Sequence, residues 1–320
     1  MSAGSRRSTP GARPRALSAA LAVLVAGVLG GCGLPPLRSE TVQLASADPV
    51  FLDAIVDRTP ASTRKGKGFL MLPRSGTPPF PAVVILHGAQ GQGMQDWHYA
   101  DVLTGAGFAA LAIDSFGPRG IERTVADQTL VTEAQMMADA YAGLAALRRD
   151  SRIDPQRIAV LGFSKGGTAA LYAALARVRD SLAPDGRGFA AHIAYYPWCG
   201  LQPRAPATTG APVLIQIGKR DDVTPAALCE ALVDELRRET PDALIDLVIY
   251  PQAEHAFDHP LLAELELDVV GEIPAGCLVR EEPDGAFVEQ RSGERVTAST
   301  LKAVVKACSL PRGHAGGDPA

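Results

Sequence analysis

Short apolar runs alternate with longer amphipathic stretches along the middle of the chain. Seven runs rich in Val, Ile, Leu and Ala predict β-strands, at residues 69–72, 82–86, 108–113, 157–162, 189–195, 213–217 and 245–250. Strands that are apolar throughout, and that are separated by helices, are typical of a parallel sheet buried on both faces. The pattern therefore predicts an α/β fold with a mostly parallel central sheet and helices on both faces.

The stretches between these runs carry helix signals. Thr132 and Gln135 have the spacing of a capping box, in which two polar side chains satisfy free backbone N–H groups at a helix start. Apolar side chains then recur on one face of the helix that would follow. Further helices are expected over 167–176 and 225–238, each of them after a predicted strand.

The N-terminus has the pattern of a secretory signal. Residues 1–31 contain four arginines and no acidic residue, and an apolar stretch runs from Ala16 to about Leu29. Cys32 follows Leu29 and two glycines, which resembles a bacterial lipobox and implies cleavage before Cys32 and lipidation of its thiol. The alternative is an ordinary signal cleaved nearby, with Cys32 incidental. We expect an exported protein, anchored in a membrane through lipid on Cys32 and facing the periplasm or the cell surface.

These patterns divide the chain into a lipoprotein signal peptide over 1–31, a tether and N-terminal segment over 32–66, an α/β domain over 67–260 and a C-terminal extension over 261–320. Acidic residues and glycines dilute the apolar pattern of the extension, so its own core would be weak. A disulfide between its two cysteines, Cys277 and Cys308, would stabilise such a segment.

Composition and charge exclude several classes of protein. The 320 residues are 47% hydrophobic and 21% charged, which supplies a core and excludes a disordered polyelectrolyte. The single long apolar run lies at the N-terminus, so a polytopic membrane protein is excluded as well. Without residues 1–31 the chain keeps 27 basic and 35 acidic residues, a formal charge of −8. That charge argues against nucleic acid as a partner.

Four cysteines remain after removal of the signal: Cys199, Cys229, Cys277 and Cys308. An exported protein meets an oxidising compartment, so two disulfides are expected, and four cysteines allow three pairings. Zinc is the rival interpretation. The sequence has neither a C-x-x-C nor an H-E-x-x-H motif, so we expect no metal and no cofactor.

A candidate nucleophile lies in the stretch Gly162-Phe163-Ser164-Lys165-Gly166. This G-x-S-x-G pattern falls between a predicted strand and a predicted helix, where a sharp turn would lift the serine hydroxyl above the sheet. The helix N-terminus would point at the same place. The alternative is a structural turn with an idle serine.

A serine hydroxyl needs a base to take its proton. His255 lies in the loop after the last predicted strand, 245–250, and loops at the carboxyl ends of parallel strands open onto one edge of the sheet. His255 is therefore the candidate base for Ser164, and His259 ranks second.

The acid that would orient this base lies after the strand at 213–217, where Asp221 and Asp222 are adjacent. Either carboxylate could hold the imidazole, and Asp222 could instead cap the turn. We choose Asp221. The resulting order of Ser164, Asp221 and His255 along the chain is the order of the α/β-hydrolase triad.

A glycine-rich loop after the strand at 82–86 could donate backbone N–H groups to a developing oxyanion. We expect the oxyanion hole to pair the amide of Lys165 with that of Ala89 or a neighbour, each donor contributing about 3–4 kcal/mol to transition-state stabilisation. His87, at the start of the loop, is expected to pack and to hydrogen-bond rather than to catalyse.

These motifs resemble the dienelactone hydrolase family of α/β-hydrolases, specifically its exported members. The matching stretches are 83–88, 112–120, 160–167, 215–225 and 250–258. The resemblance implies an α/β-hydrolase fold, Asp221 as the triad acid, and a substrate loop shaped by residues 114–119. It also places Cys199 and Cys229 on neighbouring segments, which favours their pairing. Founding members of the family use a cysteine nucleophile where this chain has Ser164, which favours general ester or acyl chemistry.

The sequence therefore predicts a serine hydrolase that cleaves a small-molecule ester or lactone through an acyl-enzyme intermediate. A peptidase of the prolyl-oligopeptidase type shares the triad order, but the long N-terminal β-repeat region typical of such enzymes is missing from this sequence. A third hypothesis is a surface-binding lipoprotein that keeps a hydrolase fold without activity.

Overall fold

The computed structural model describes residues 38–56, 62–183, 185–261, 265–267, 272–310 and 313–317. The signal peptide expected over 1–31 and the lipidation expected at Cys32 lie outside these residues. Of the helices in the described ranges, none combines the length and the apolar character needed to cross a membrane. The described residues belong to one compact unit.

The strands in the described ranges are β1 (Glu40–Ala47), β2 (Thr63–Met71), β3 (Phe80–Leu86), β4 (Ala109–Asp114), β5 (Ile153–Phe163), β6 (His192–Tyr195), β7 (Leu201–Gln202), β8 (Val213–Gly218), β9 (Ile245–Tyr250), β10 (Leu265–Leu267), β11 (Val279–Glu281), β12 (Phe287–Glu289) and β13 (Gly313–Ala315). The helices are α1 (Leu52–Val56), α2 (Met94–Gly105), α3 (Glu133–Leu147), α4 (Lys165–Tyr172), α5 (Ala176–Leu182), α6 (Ala226–Glu239) and α7 (Leu301–Ala307), and a 3-10 turn spans Gly117–Arg119.

Eight strands form the central sheet, in the order β1-β2-β4-β3-β5-β6-β8-β9. The strands from β4 to β9 in this order are all parallel, whereas β1 and β2 run antiparallel to their neighbours. Residues 82–86 of β3 and 109–113 of β4 are buried without exception. Such strands need cover on both faces of the sheet, and helices supply it. The predicted α/β-hydrolase fold is confirmed.

Helix α3 begins where its capping box predicts. The side-chain oxygen of Thr132 accepts a hydrogen bond from the backbone N–H of Gln135, and the Gln135 side chain accepts one from the backbone N–H of Thr132. Two of the otherwise free amides at the helix start are satisfied in this way. The helix expected over 167–176 instead begins earlier, at Lys165.

Several strands depart from the expected pattern, and β2 and β5 begin earlier than predicted, at Thr63 and Ile153. β6 begins at His192 rather than at residue 189, and the ring of Phe189 packs on Tyr141, with ring centroids 5.1 Å apart. β1 extends the sheet to Glu40, ahead of the boundary expected at residue 67. The apolar pattern does not predict β1, because this edge strand alternates isolated apolar residues with polar ones.

The C-terminal extension folds back onto the α/β domain. β11 pairs in parallel with β7, and β12 pairs with β11, which forms a separate three-stranded sheet. Two disulfides join Cys199 to Cys229 and Cys277 to Cys308, with Cα–Cα distances of 4.9 and 5.6 Å. This is the pairing that we favoured from the sequence.

Candidate active site

Ser164 lies at a strained turn between β5 and α4. Its backbone has φ 52° and ψ −114°, a conformation that costs free energy for a residue with a Cβ atom. Tight packing around the turn explains the flanking glycines. A Cβ on Gly162 would collide with the carbonyl oxygen of Gly166, and a Cβ on Gly166 would collide with that of Leu86. The G-x-S-x-G spacing is thus a steric requirement of this turn.

Ser164, His255 and Asp221 form a continuous chain of hydrogen bonds. The Oγ of Ser164 lies 2.8 Å from Nε2 of His255, and Nδ1 of His255 lies 2.9 Å from Oδ2 of Asp221. An ionised carboxylate accepts hydrogen bonds only, so Nδ1 carries the proton and the lone pair of Nε2 faces the serine hydroxyl. In this arrangement the imidazole can accept the hydroxyl proton.

Asp221 is held by a residue that the sequence reasoning missed. Thr224 donates its backbone N–H to Oδ1 of Asp221 at 2.7 Å and its hydroxyl to Oδ2 at 2.9 Å. Both side chains are buried. These two bonds hold the carboxylate of Asp221 in the orientation in which it contacts His255. Asp221 and Thr224 are three residues apart just before a helix. This spacing is typical of turns in which a side chain bonds to the backbone, and it could have indicated the contact.

The neighbouring acid serves a different histidine. Asp222 accepts hydrogen bonds from the backbone N–H and from Nδ1 of His314, at 2.8 and 2.6 Å. The second-ranked base, His259, accepts a bond from the backbone N–H of Leu261 at 3.3 Å, and partial burial lowers its pKa. The structure therefore joins Asp221 and His255 to Ser164 by hydrogen bonds, whereas Asp222 pairs with His314 and His259 lines the cavity with other partners.

A partly buried polar network holds the loop that carries His255. Asp258 accepts hydrogen bonds from the hydroxyls of Tyr99 and Tyr196 at 2.6 and 2.8 Å, and from the side-chain amide of Gln95 at 3.0 Å. Burial raises the pKa of both tyrosines well above the usual range, so both remain neutral donors. The ring of Tyr196 also packs edge-on against His255, with centroids 4.7 Å apart. The sequence reasoning did not identify this network.

The proposed oxyanion donors lie beside Ser164. Lys165 is the first residue of α4, so its amide N–H has no acceptor within the helix. The loop after β3 runs along the nucleophile: a Cβ on Gly88 would lie 3.7 Å from the Cβ of Ser164, and Ala89 is the next residue. Ala89 and Lys165 line the same cavity as Ser164. That these two amides form an oxyanion hole stays a prediction.

The side chain of Lys165 does not point to the substrate. Its Nζ donates to the carbonyl oxygen of Gln128 at 2.9 Å and pairs with Oε1 of Glu133 at 2.8 Å. Only 2% of this side chain is exposed. The side chain of Lys165 therefore joins two residues of the cavity wall, Gln128 and Glu133.

His87 has a structural role, as its position suggested. Its Nδ1 donates to the carbonyl oxygen of Gly88 at 2.9 Å, and its Nε2 accepts from the backbone N–H of Ser115 at 3.2 Å. Burial lowers the pKa of His87, which keeps the ring neutral and suits this pair of bonds. The ring joins the oxyanion loop to the end of β4.

Among the described residues, the segment 114–119 does not line the cavity at Ser164, so the role in shaping the substrate loop that the resemblance implies stays a prediction. Arg119 is buried and pairs with Asp139 at 2.7 Å and with Asp48 at 2.9 Å, and neither it nor Asp114 lines the cavity at Ser164. Residues 125–133 line the cavity instead. The ion pairs of Arg119 join the N-terminal segment, at Asp48, to helix α3, at Asp139.

A cavity of about 730 Å³ opens onto Ser164 and His255. Its walls come from the loop after β3 and the start of α2, from residues 125–133, and from the C-terminal extension. Within the described residues, the one group with metal-ligand spacing is Cys277, Glu289 and Cys308. Because the two cysteines form a disulfide, they are not available as thiolate ligands.

The sheet order and the turn that carries Ser164 define an α/β-hydrolase. The sequence model of the dienelactone hydrolase family matches residues 67–264, and the chain belongs to this family of hydrolases. A chain of Methylorubrum extorquens, named a candidate carboxymethylenebutenolidase, is 30% identical over 239 residues, covering 69% of this chain and 77% of its own. A chain of Bradyrhizobium sp, named a candidate 2-oxo-3-(5-oxofuran-2-ylidene)propanoate lactonase, is 26% identical over 188 residues, covering 55% and 73%.

A solved structure shares the fold. Esterase 2 of Thermogutta terrifontis, phosphoramylated by tabun, superposes with a TM-score of 0.52 over 71% of this chain and 88% of its own, at 19% identity. At this identity the likeness supports the fold alone.

Proposed function

We propose that this protein is a serine hydrolase that cleaves an ester or lactone through an acyl-enzyme intermediate. The observation that carries the proposal is the continuous hydrogen-bond chain from the hydroxyl of Ser164 through His255 to Asp221. Membership of the family supports hydrolysis of esters or lactones, and the Bradyrhizobium relative bears the name of a lactonase.

The acylation half of the reaction uses all three side chains. The Oγ of Ser164 attacks the substrate carbonyl carbon while Nε2 of His255 takes the hydroxyl proton. Asp221 holds the imidazole in the required tautomer and stabilises the imidazolium that forms. The amides of Lys165 and Ala89 stabilise the negative oxygen of the tetrahedral intermediate. As that intermediate collapses, the C–O bond to the alcohol breaks and His255 gives the leaving oxygen its proton.

Deacylation repeats these steps with water. His255 takes a proton from the water, the resulting hydroxide attacks the acyl carbon, and a second tetrahedral intermediate forms. The bond to Oγ of Ser164 then breaks, His255 returns the proton to the serine, and the carboxylic acid leaves.

The charges around the cavity favour a neutral substrate. The residues that line it include three lysines, Lys165, Lys302 and Lys306. The first is paired with Glu133 and the second with Asp127, while the third is exposed to solvent. Among the described lining residues, a substrate carboxylate would therefore meet no buried, unpaired cation. Burying an unpaired charge is costly, so a neutral ester fits better.

The kinetic test compares the hydrolysis of p-nitrophenyl acetate by the purified chain and by two serine variants. Ser164→Ala should lower kcat by on the order of 10⁴-fold or more, because the nucleophile is lost. Ser181→Ala, on α5 and outside the cavity, is the matched control and should keep full activity. Undiminished turnover by Ser164→Ala, with an unchanged circular dichroism spectrum, would refute the proposal.

We also propose, on the sequence pattern, that the chain is exported and anchored through lipid on Cys32. Two disulfides suit an oxidising compartment. Expression of the full chain in a bacterial host should place it in the membrane fraction, and Cys32→Ser should release it to the soluble fraction. Retention of Cys32→Ser in the membrane would contradict lipidation at this residue.

A further inference from the structure

The C-terminal extension covers the cavity that contains Ser164. The short helix α7 contributes Leu301, Val304 and Val305 to the cavity lining, at positions that share one helix face. Ala303 and Ala307 lie on the opposite face, where they are exposed and do not line the cavity. The helix thus presents three apolar residues to the site, together with Lys302 and Lys306, which also line the cavity, and it presents two alanines to solvent.

Further parts of the extension complete this apolar wall. Ile273, Val279 and Val296 also line the cavity, and they come from three separate segments of the extension. All of these segments lie beyond residue 264, where the match to the family ends. The wall is therefore a feature of this chain that the matched family region does not include.

Buried contacts fix the extension to the α/β domain. The strand pairing of β11 with β7 is reinforced by Glu281, whose carboxylate accepts hydrogen bonds from Nη1 of Arg177 and from the backbone N–H of Arg204, both at 2.9 Å. The ring of Phe287 packs edge-on against Phe51, with centroids 5.1 Å apart. Removing either partner would leave a buried carboxylate without its compensating bonds, so separating the extension from the α/β domain would be costly.

Helix α7 itself is tied at two places. The Cys277–Cys308 disulfide joins the residue that follows α7 to the segment just before β11. At the other end, Nζ of Lys302 lies 2.6 Å from Oδ2 of Asp127, on the facing wall of the cavity. Lys302 is 75% exposed, so its ion pair contributes little and the disulfide is the stronger constraint.

We propose that residues 272–310 form a fixed cap that selects substrates by their apolar group, with Leu301 and Val305 as specificity-determining residues. The substrates are neutral esters that carry an aliphatic chain of several carbons, and this chain lies against α7 while the carbonyl lies at Ser164. The inference rests on the proposed function, since it names the substrate class of the same site. Leu301 and Val305 are only partly buried, so both can still bury surface against a ligand.

The first test is a chain-length profile. For p-nitrophenyl esters from acetate to octanoate, kcat/KM should rise roughly fourfold for each methylene that the cap buries, and then level off. Leu301→Trp, which fills the cavity from α7, should move this limit to shorter chains and lower kcat/KM for the octanoate at least tenfold. Ala303→Trp, with the same added bulk on the outer face of α7, should leave the profile unchanged. Val305→Phe repeats the test if Leu301→Trp does not fold.

A second measurement separates the cap from the chemistry. The Ser164→Ala variant is titrated with 4-nitrophenyl octyl ether, a neutral ligand without a cleavable carbonyl, and binding is followed by calorimetry. Adding Leu301→Trp should weaken binding at least fivefold, whereas adding Ala303→Trp should not. Binding that depends on Leu301 supports the cap even if hydrolysis proves independent of Ser164. If neither Leu301→Trp nor Val305→Phe changed the binding or the chain-length profile, the cap proposal would be overturned, whatever the outcome for Ser164.

Discussion

Oδ2 of Asp221 lies 2.9 Å from Nδ1 of His255. The next residue along the chain, Asp222, makes the same kind of contact with a different histidine, since its Oδ2 lies 2.6 Å from Nδ1 of His314. Two adjacent carboxylates therefore orient two imidazoles. Only the first of these imidazoles reaches the hydroxyl of Ser164.

This arrangement predicts a large loss of activity in one conservative variant and a small change in another. Asp221→Asn should lower kcat for p-nitrophenyl acetate by roughly 10³–10⁴-fold, because an amide cannot stabilise the imidazolium and allows the wrong tautomer of His255. Asp222→Asn should change kcat by less than tenfold, because its partner lies outside the hydrogen-bond chain. Steady-state kinetics on both variants make the comparison. A larger loss in Asp222→Asn than in Asp221→Asn would reverse the assignment of the acid.

Asp96 predicts a pH dependence of stability. It lies in the first turn of α2, where its Oδ2 accepts the backbone N–H of Gly93 at 2.8 Å, while its Oδ1 is buried without a hydrogen-bond partner among the described residues. Burial raises the pKa of Asp96 from 3.8 to about 7. Between these pH values the unfolded chain is ionised and the folded chain keeps its proton. Unfolding there releases a proton, so stability falls as the pH rises from about 4 to about 7.

Asp96→Asn removes this effect and keeps an oxygen that can accept the Gly93 amide. Relative to the variant, the original chain should lose stability by up to about 1.4 kcal/mol per pH unit over that interval. Urea unfolding of both proteins at pH 4, 6 and 8 measures the difference. The two should be similar at pH 4, and the variant should be the more stable at pH 8. A difference that does not change with pH would show that Asp96 is already ionised when folded.

The two disulfides predict a contrast between stability and specificity. They close loops of similar length, with separations of 30 and 31 residues, so removing either should cost about 3–4 kcal/mol in the chain-entropy picture. The double variant Cys277→Ser, Cys308→Ser frees α7 and should also flatten the chain-length profile for p-nitrophenyl esters.

The matched control for this prediction is Cys199→Ser with Cys229→Ser, since neither residue lines the cavity. Thermal unfolding and ester profiles of both double variants are compared. The control should lose a similar free energy of unfolding and keep the original dependence of kcat/KM on ester chain length. If both double variants kept the original profile, the disulfide at α7 would have no part in selecting substrates.

The sequence predicted those parts of the fold that depend on local pattern. Apolar runs such as 82–86 identify interior strands because each residue of such a strand is buried. The glycines around Ser164 identify the turn because no larger residue fits there. Edge strand β1 was missed since half of its surface is solvated, and α2 was missed since its polar residues do not cluster on one face.

The remaining features depend on contacts between distant parts of the chain. Choosing between Asp221 and Asp222 requires the position of His314, about ninety residues further on. The network at Asp258 joins Tyr99 and Tyr196, which no spacing rule connects. The sequence predicted the cap only as an irregular extension with a disulfide. Its proposed role follows from the position of α7 at the cavity, which no local pattern shows.

The central claim is that Ser164 is the nucleophile, and covalent labelling tests it most directly. The purified chain is treated with a fluorophosphonate probe, digested and analysed by mass spectrometry. We predict one major adduct, on the peptide that contains Ser164, and strong loss of labelling in His255→Ala, because the serine then lacks its base. An active preparation that hydrolyses p-nitrophenyl acetate while Ser164 stays unlabelled, or that carries the adduct on another residue, would contradict the account.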